Sequence, residues 1–263
     1  MKIRALFMTF TLALPLSFCF ISPVQAEDEE TAPQWAENEE VSLPWFVSIG
    51  TGIVSPVVNQ KINFANSGMP GFPDDEYVTN DWSRSLLFSL SAGYQWKFAA
   101  DYPTAFSLGL QYTYDQPQIK GDIYINSLAD SKNFRYQYNV KQQLIQVMAK
   151  LNLFSWYELM PYLSLGAGIV NNNVNDYSES PIAGQTDFGK RYQFTSATTS
   201  QFAGSIGIGA DYQFKDNMAL TIGYRYTTTG HVQTGRGTGT LSGNRLTNTL
   251  SLNSLELQVL YFF

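Results

Sequence analysis

The chain has 263 residues, with 16 basic and 22 acidic side chains, one histidine and one cysteine. This acidic balance argues against nucleic acid as a partner, and the lone Cys19 excludes a disulfide or a thiolate metal cluster. No run beyond residue 26 approaches the roughly 18 apolar residues of a membrane-crossing helix, yet Tyr, Phe and Trp number 16, 18 and 5.

Lys2 and Arg4 precede an apolar run from Ala5 to Phe20, and Val24-Gln-Ala26 has the small-x-small form of a cleavage site. This pattern predicts a secretory signal peptide over residues 1–26, with Glu27 as the first mature residue. Phe18, not a small residue, precedes Cys19, so a lipidated cysteine is not expected. Cleavage removes Lys2, Arg4 and no acid, which moves the net charge from −6 to −8. Glu27 to Glu40 then holds seven acidic residues and no basic one. Residues 27–44 therefore read as an acidic, solvated periplasmic segment ahead of a domain spanning 45–263.

Eight segments with a period of two follow. The first is Trp45 to Val54, with Trp45, Val47, Ile49 and Ile53 on one face. The second, Arg84 to Lys97, alternates Leu86, Phe88, Leu90, Ala92, Tyr94 and Trp96 with Ser89, Ser91, Gly93, Gln95 and Lys97. The third, Thr104 to Tyr114, sets Phe106, Leu108, Leu110, Tyr112 and Tyr114 against small or polar residues. The fourth runs to Phe154 with Ile145, Val147, Ala149, Leu151 and Leu153 on its apolar face. The fifth (Pro161 to Val170), sixth (Gln201 to Phe214) and seventh (Met218 to Tyr226) repeat the pattern. The eighth closes the chain with Leu255, Leu257, Val259, Tyr261 and Phe263 on one side and Glu256 and Gln258 on the other. Such alternation marks strands with one apolar face, and their lengths suit the 9–11 residues of a tilted transmembrane strand.

The connections set the topology. Those after segments two, four and six are short, while those after one, three, five and seven run to about twenty residues or more. Short turns on one rim and long loops on the other predict an all-β, eight-stranded, antiparallel up-and-down transmembrane β-barrel in a bacterial outer membrane, with both termini periplasmic. The eighth strand must pair with the first, because an open edge cannot survive in hydrocarbon. Gly166, Gly168, Gly207, Gly209 and Gly223 would face a crowded lumen. Gln118 to Ile125 and Phe134 to Val140 also alternate, and would prolong strands three and four above the membrane. Ten strands would result if such a hairpin entered the bilayer. Gly68–Pro73 reads as turn-rich loop sequence and Gly235–Gly239 as a flexible basic stretch.

On these residues the chain resembles the small eight-stranded outer-membrane barrels, which include OmpA-like, OmpX-like and Opa-like proteins. The resemblance rests on the alternation ending in Phe263, on Met160-Pro-Tyr-Leu-Ser-Leu-Gly-Ala-Gly168, and on the strand–turn–strand unit Tyr212 to Tyr226. It implies that Leu257, Val259, Tyr261 and Phe263 form the signal read by the outer-membrane assembly machinery. Peptidoglycan anchoring is not implied.

Few residues point to chemistry. His231 is followed by Val-Gln-Thr, without the serine and asparagine that lipid A deacylases place there, and one imidazole makes no metal site. No catalytic residue, metal or cofactor is expected. Arg225 and Glu256 face the lumen at similar heights on neighbouring strands, which predicts a structural ion pair, and Asp211 and Lys150 are expected to join its network nearer the periplasm. Trp45, Trp96, Phe98, Phe154, Trp156, Tyr212, Phe214 and Phe263 form one expected aromatic girdle, and Tyr112, Tyr114 and Tyr226 the other. The reading is a monomeric, non-enzymatic structural or surface-interaction protein whose function lies in four long extracellular loops. Its expected partners are outer-membrane lipids and lipopolysaccharide, the assembly machinery, and host or environmental surface ligands. A narrow channel for small solutes and a lipid A-modifying enzyme are the alternatives.

Overall fold

The computed structural model describes residues 44–58, 60–64, 74–98, 102–125, 132–182, 194–238 and 243–263. The signal peptide, the acidic segment up to residue 43 and the Gly68–Pro73 turn lie outside these residues.

Eleven strands run in chain order: β1 (Trp45–Val57), β2 (Gln60–Phe64), β3 (Asp75–Ser83), β4 (Ser85–Lys97), β5 (Ala105–Asp115), β6 (Gln118–Tyr124), β7 (Lys132–Asn152), β8 (Leu159–Pro181), β9 (Ala197–Lys215), β10 (Met218–Gln233) and β11 (Thr247–Phe262). All pair antiparallel. Eight of them form a ring, β1–β4–β5–β7–β8–β9–β10–β11, closed where β11 returns to β1 through Phe46 opposite Phe262 and Val57 opposite Ser251. The other three prolong the wall on its outer side. β6 continues β5 along β7 beyond Gln116 and Pro117; β3 continues β4 beyond Arg84; β2 continues β1. Pro117 has no N–H to give, but its carbonyl accepts the N–H of Val140 at 3.0 Å, so the wall holds together at the break.

The ring therefore has eight staves, and the ten-strand alternative falls. The expectation of four long loops needs correction. Most of those residues are strand: β8 has 23 residues and β7 has 21. At ~3.3 Å per residue and a tilt of ~40°, a strand the length of β8 climbs roughly 55–60 Å, about twice the ~25 Å apolar band of such a barrel. The upper half of the wall stands in water.

The two halves are built in opposite senses. In the lower half the apolar side chains point out: Ile49, Leu86, Leu110, Leu165, Phe202, Ile208, Ile222 and Leu255 are all exposed on the barrel's outer surface. In the upper half they point in. Val54, Tyr77, Ile119, Phe134, Tyr136, Tyr138, Val174, Val232 and Leu250 belong to one buried apolar core. On β7 the direction of each side chain stays continuous while hydrophobicity changes side between Val140 and Ile145. Hydrocarbon is the solvent below that level and water above it.

Glycine sets the lower lumen. A Cβ at Gly209 or Gly223 would strike the hydroxyl of Tyr162, so these two glycines make room for that inward ring. A Cβ at Gly168 would press on the main chain of Ile145 and Gln146. Close approach of neighbouring strands requires glycine there.

Candidate functional site: the filled lumen and the outer extension

The lumen is filled in layers. At the periplasmic end Phe46, Ala219, Leu260 and Phe262 cluster, with the rings of Phe46 and Phe262 6.3 Å apart. Above them Lys150 reaches Asp211 at 2.7 Å, and Asp211 also accepts from Asn152 (2.8 Å) and Thr221 (2.5 Å). The ammonium of Lys150 lies 5.1 Å from the ring centre of Tyr162. Asp211 is thus held by one charge and two neutral donors, the arrangement a buried carboxylate needs.

The next layer contains Arg225 and Glu256. Arg225 Nη2 lies 3.0 Å from Glu256 Oε2, with both side chains buried. The register makes this a diagonal pair, since Arg225 faces Ser254 across the ladder and Glu256 faces Gly223. Glu256 accepts further bonds from Ser254 (2.8 Å) and Gln258 (3.0 Å). Arg225 also donates to Gln111, which accepts from Gln146 (2.8 Å), which in turn accepts from Ser205 (2.9 Å). On the other side Ser48 donates to Gln258 at 3.3 Å. The chain of bonds crosses the lumen from β1 to β9. Lys150 and Asp211 form their own layer rather than joining this network. A cavity of about 60 Å³ between the two layers has room for a few waters.

Sequence reasoning singled out the charges and missed the amides. Gln111 and Gln146 are fully or nearly buried, but an inward glutamine in a lumen looks like any other polar position of an alternating strand. Their shared bond was legible only once β5 and β7 were placed in register, with Gln111 directly opposite Gln146.

Outside, the aromatic residues of the lower rim contact one another. Trp45 meets Tyr94 edge-on at 5.1 Å, Tyr94 lies 4.7 Å from Trp96, and Trp96 stacks on Phe106 at 5.6 Å. Leu257, Val259 and Tyr261 on β11 and Phe263 just after it are all exposed outside, and the last two rings stack at 6.4 Å. His231, expected in loop four, lies on β10 just past Gly230, which has a φ of 72°. It is exposed, with Nδ1 3.2 Å from the Thr249 hydroxyl. Among the described residues no three His, Cys, Asp or Glu side chains converge as metal ligands would.

The outer extension has its own polar anchors. The Tyr136 hydroxyl bonds to Thr79 at 2.6 Å, and Asn248 donates to Tyr138. Phe194, arriving from the segment before β9, lies 5.8 Å from Phe64 and 5.0 Å from Tyr177, covering the core. On the outer wall Asp122 meets Lys132 (2.6 Å), Asn80 (2.8 Å) and Arg135 (3.6 Å). Burial pushes the Asp122 carboxyl up, but the bonds from Lys132 and Asn80 and the charges of Lys132 and Arg135 outweigh it and hold it below its ordinary value.

A carboxylate with a lowered pKa stabilises the fold above its unfolded value and loses that contribution as pH falls through the folded value. The outer extension should therefore loosen as pH falls below the ordinary carboxylate range and through the folded value of Asp122. Amide exchange in β6 and upper β7 should quicken there in the wild type. In Asp122→Asn the same amides should show no such step, and a step of equal size would remove Asp122 as its source.

The ring of eight staves, its outward apolar belt and its aromatic rim decide the family. A family model described as an outer membrane protein beta-barrel domain matches residues 48–263. The chain belongs to this family. It is an outer-membrane β-barrel protein. No curated protein matches its sequence. Among solved structures it is similar to Neisserial surface protein A, at 15% identity over 83% of this chain and 97% of that one, with a TM-score of 0.43. It is also similar to the attachment invasion locus protein Ail of Yersinia pestis (14%, 84% and 99%, TM-score 0.36). A third is OprG from Pseudomonas aeruginosa (14%, 84% and 97%, TM-score 0.46).

Proposed function

We propose that this barrel is a non-enzymatic surface-interaction protein whose outer extension presents the binding surface. In this reading residues 1–26 are a cleaved export signal, residues 27–44 a periplasmic segment, and residues 45–263 a monomeric barrel. Leu257, Val259, Tyr261 and Phe263 direct its assembly, and Arg225 with Glu256 fastens the lumen. The partners are lipopolysaccharide around the wall and host or environmental molecules at its top.

The observation that carries this reading is the core of the outer extension. A membrane anchor needs only the lower belt. Here, among the described residues, one core of seventeen buried apolar side chains starts at the top of the belt, with Val54, Leu87 and Leu252, and continues up through the extension. A well-ordered wall standing that far above the lipid serves to hold something at a fixed height. The lower lumen, crossed by two charge-paired layers, supports a scaffold over a conduit.

The test compares bacteria carrying the wild type, a gene deletion, and a variant whose β2–β3 and β6–β7 outer segments are replaced by short turns. Adherence to immobilised host matrix and glycans should fall in the deletion and in the shortened barrel alike, while the shortened barrel still reaches the outer membrane. Unchanged adherence in the deletion would overturn the proposal.

A further inference from the structure

Within the membrane ring every strand has a ladder partner on both sides. In the outer extension that continuity breaks in two places among the described strands: β9 and β10 have no ladder beyond Gly204 and Thr228, and β2 and β11 have none at all. β1 and β11 remain paired up to Val57 and Ser251. Beyond that point β2 pairs with β3 through Gln60–Phe64, and Thr247, Asn248 and Thr249 of β11 pair with β10. No ladder joins β2 to β11. Among the described residues one bond joins β2 to β11, from the Thr249 N–H to Gln60 Oε1 at 2.9 Å, and on the inner side Thr79 of β3 donates to Asn248 Oδ1 at 3.3 Å.

The seam opens only above the apolar belt, whose last outward residues on these staves are Val57 and Leu255. In hydrocarbon unpaired edges would be intolerable. In water they survive, but they remain templates for another strand. Alternate residues of Gln60–Phe64 direct N–H and C=O away from β3, as antiparallel pairing demands.

We propose that the β2 edge of this seam docks an extended peptide segment of a protein partner, which adds to the wall as a further strand. The inference rests on the surface-interaction reading and names the partner's form. A lipid or glycan cannot supply the main-chain ladder. A second copy of this barrel is excluded by geometry. Two barrels in one membrane share an orientation, so rotation about the membrane normal relates them. With strands tilted ~40°, two β2 edges would then cross at roughly 80° and could not form a ladder. The edge also specifies side chains. On the inner face Ile62 and Phe64 pack with the outer core, so inward positions of the peptide are apolar. On the outer face Lys61, 2.8 Å from Glu76, and Asn63 are exposed, so outward positions are polar and one beside Lys61 is acidic. A five-residue edge carrying a lysine discourages indiscriminate pairing, which keeps the site selective.

The full barrel, refolded in lipid nanodiscs, is titrated into a fluorescein-labelled nonapeptide of alternating valine and threonine with a central glutamate, and anisotropy is followed. Saturable binding is expected. N-methylation of the peptide on one set of alternate residues should weaken it about tenfold or more, and methylation on the other set should not, because one edge of the added strand carries the ladder. Gln60→Cys with Thr249→Cys, joined by a short thiol cross-linker, should abolish binding, and reversal should restore it. Absence of binding by the wild type, or equal effects of the two methylated peptides, would overturn the seam as a docking edge. Adherence lost on gene deletion together with a silent peptide titration would sink the seam alone and leave the surface-interaction reading standing.

Discussion

Replacing Arg225 by alanine is expected to cost about 3–5 kcal/mol of barrel stability, because it leaves the Glu256 carboxyl buried without its partner. Ser254 and Gln258 would still donate to Glu256 at 2.8 and 3.0 Å, but neutral donors do not replace a guanidinium at 3.0 Å. Gln111 would keep its bond from Gln146 at 2.8 Å, so the loss should be centred on the carboxylate. The double change Arg225→Met with Glu256→Leu removes both charges together and should recover most of the loss, as apolar replacement of whole buried pairs commonly does. Urea unfolding from lipid vesicles, followed by tryptophan fluorescence, measures all three. A single-mutant cost below about 1 kcal/mol would show that the pair does not fasten the lumen.

Tyr138→Ala should have an effect of similar size and a different reach. Tyr138 is buried between Tyr136, stacked at 6.3 Å, and Tyr177 at 6.4 Å, and it takes a hydrogen bond from Asn248. Losing the ring removes its apolar contact, leaves a cavity and strands an amide, at about 3–5 kcal/mol. The membrane ring meets this core only at its upper edge, through Val54, Leu87 and Leu252. Amide exchange should therefore quicken by orders of magnitude in β3, β6 and the upper halves of β7 and β8, and stay slow in β5 and lower β7. Uniform acceleration along β7 would mean that the wall opens as one unit and that the outer core is no separate element.

The staves were legible in the sequence because hydrocarbon imposes a simple rule: apolar out, small or polar in. Leu86 to Trp96 and Leu255 to Phe263 obey it over several turns of the pleat, and β4 and β11 are found there. The outer wall was less legible because the rule reverses above the lipid. Ile62 and Phe64 of β2, and Tyr77 and Thr79 of β3, alternate well but in the opposite sense, and short strands beside Gly68–Pro73 read as loop. On β7 the same strand carries both senses, with Phe134 to Val140 apolar inside and Ile145 to Leu151 apolar outside. The change of phase between them marks the water–lipid boundary. The lumen was half legible. Arg225 and Glu256 stand out because charges inside a barrel must find partners. The bridging amides Gln111 and Gln146, and the separation of Lys150 with Asp211 into their own layer, depend on stagger between strands, which alternation along one strand does not encode.

The proposed surface role requires a sealed lumen beneath the outer extension, and ion conductance tests it most directly. The refolded wild-type barrel is inserted into a planar lipid bilayer and current is recorded at both polarities. Flat traces are predicted, because the apolar periplasmic cluster, the Lys150–Asp211 layer, the Arg225–Glu256 network and the outer core lie one above another along the lumen. Stable, stepwise currents from the unaltered barrel would contradict it and make the lumen, not the outer wall, the seat of function.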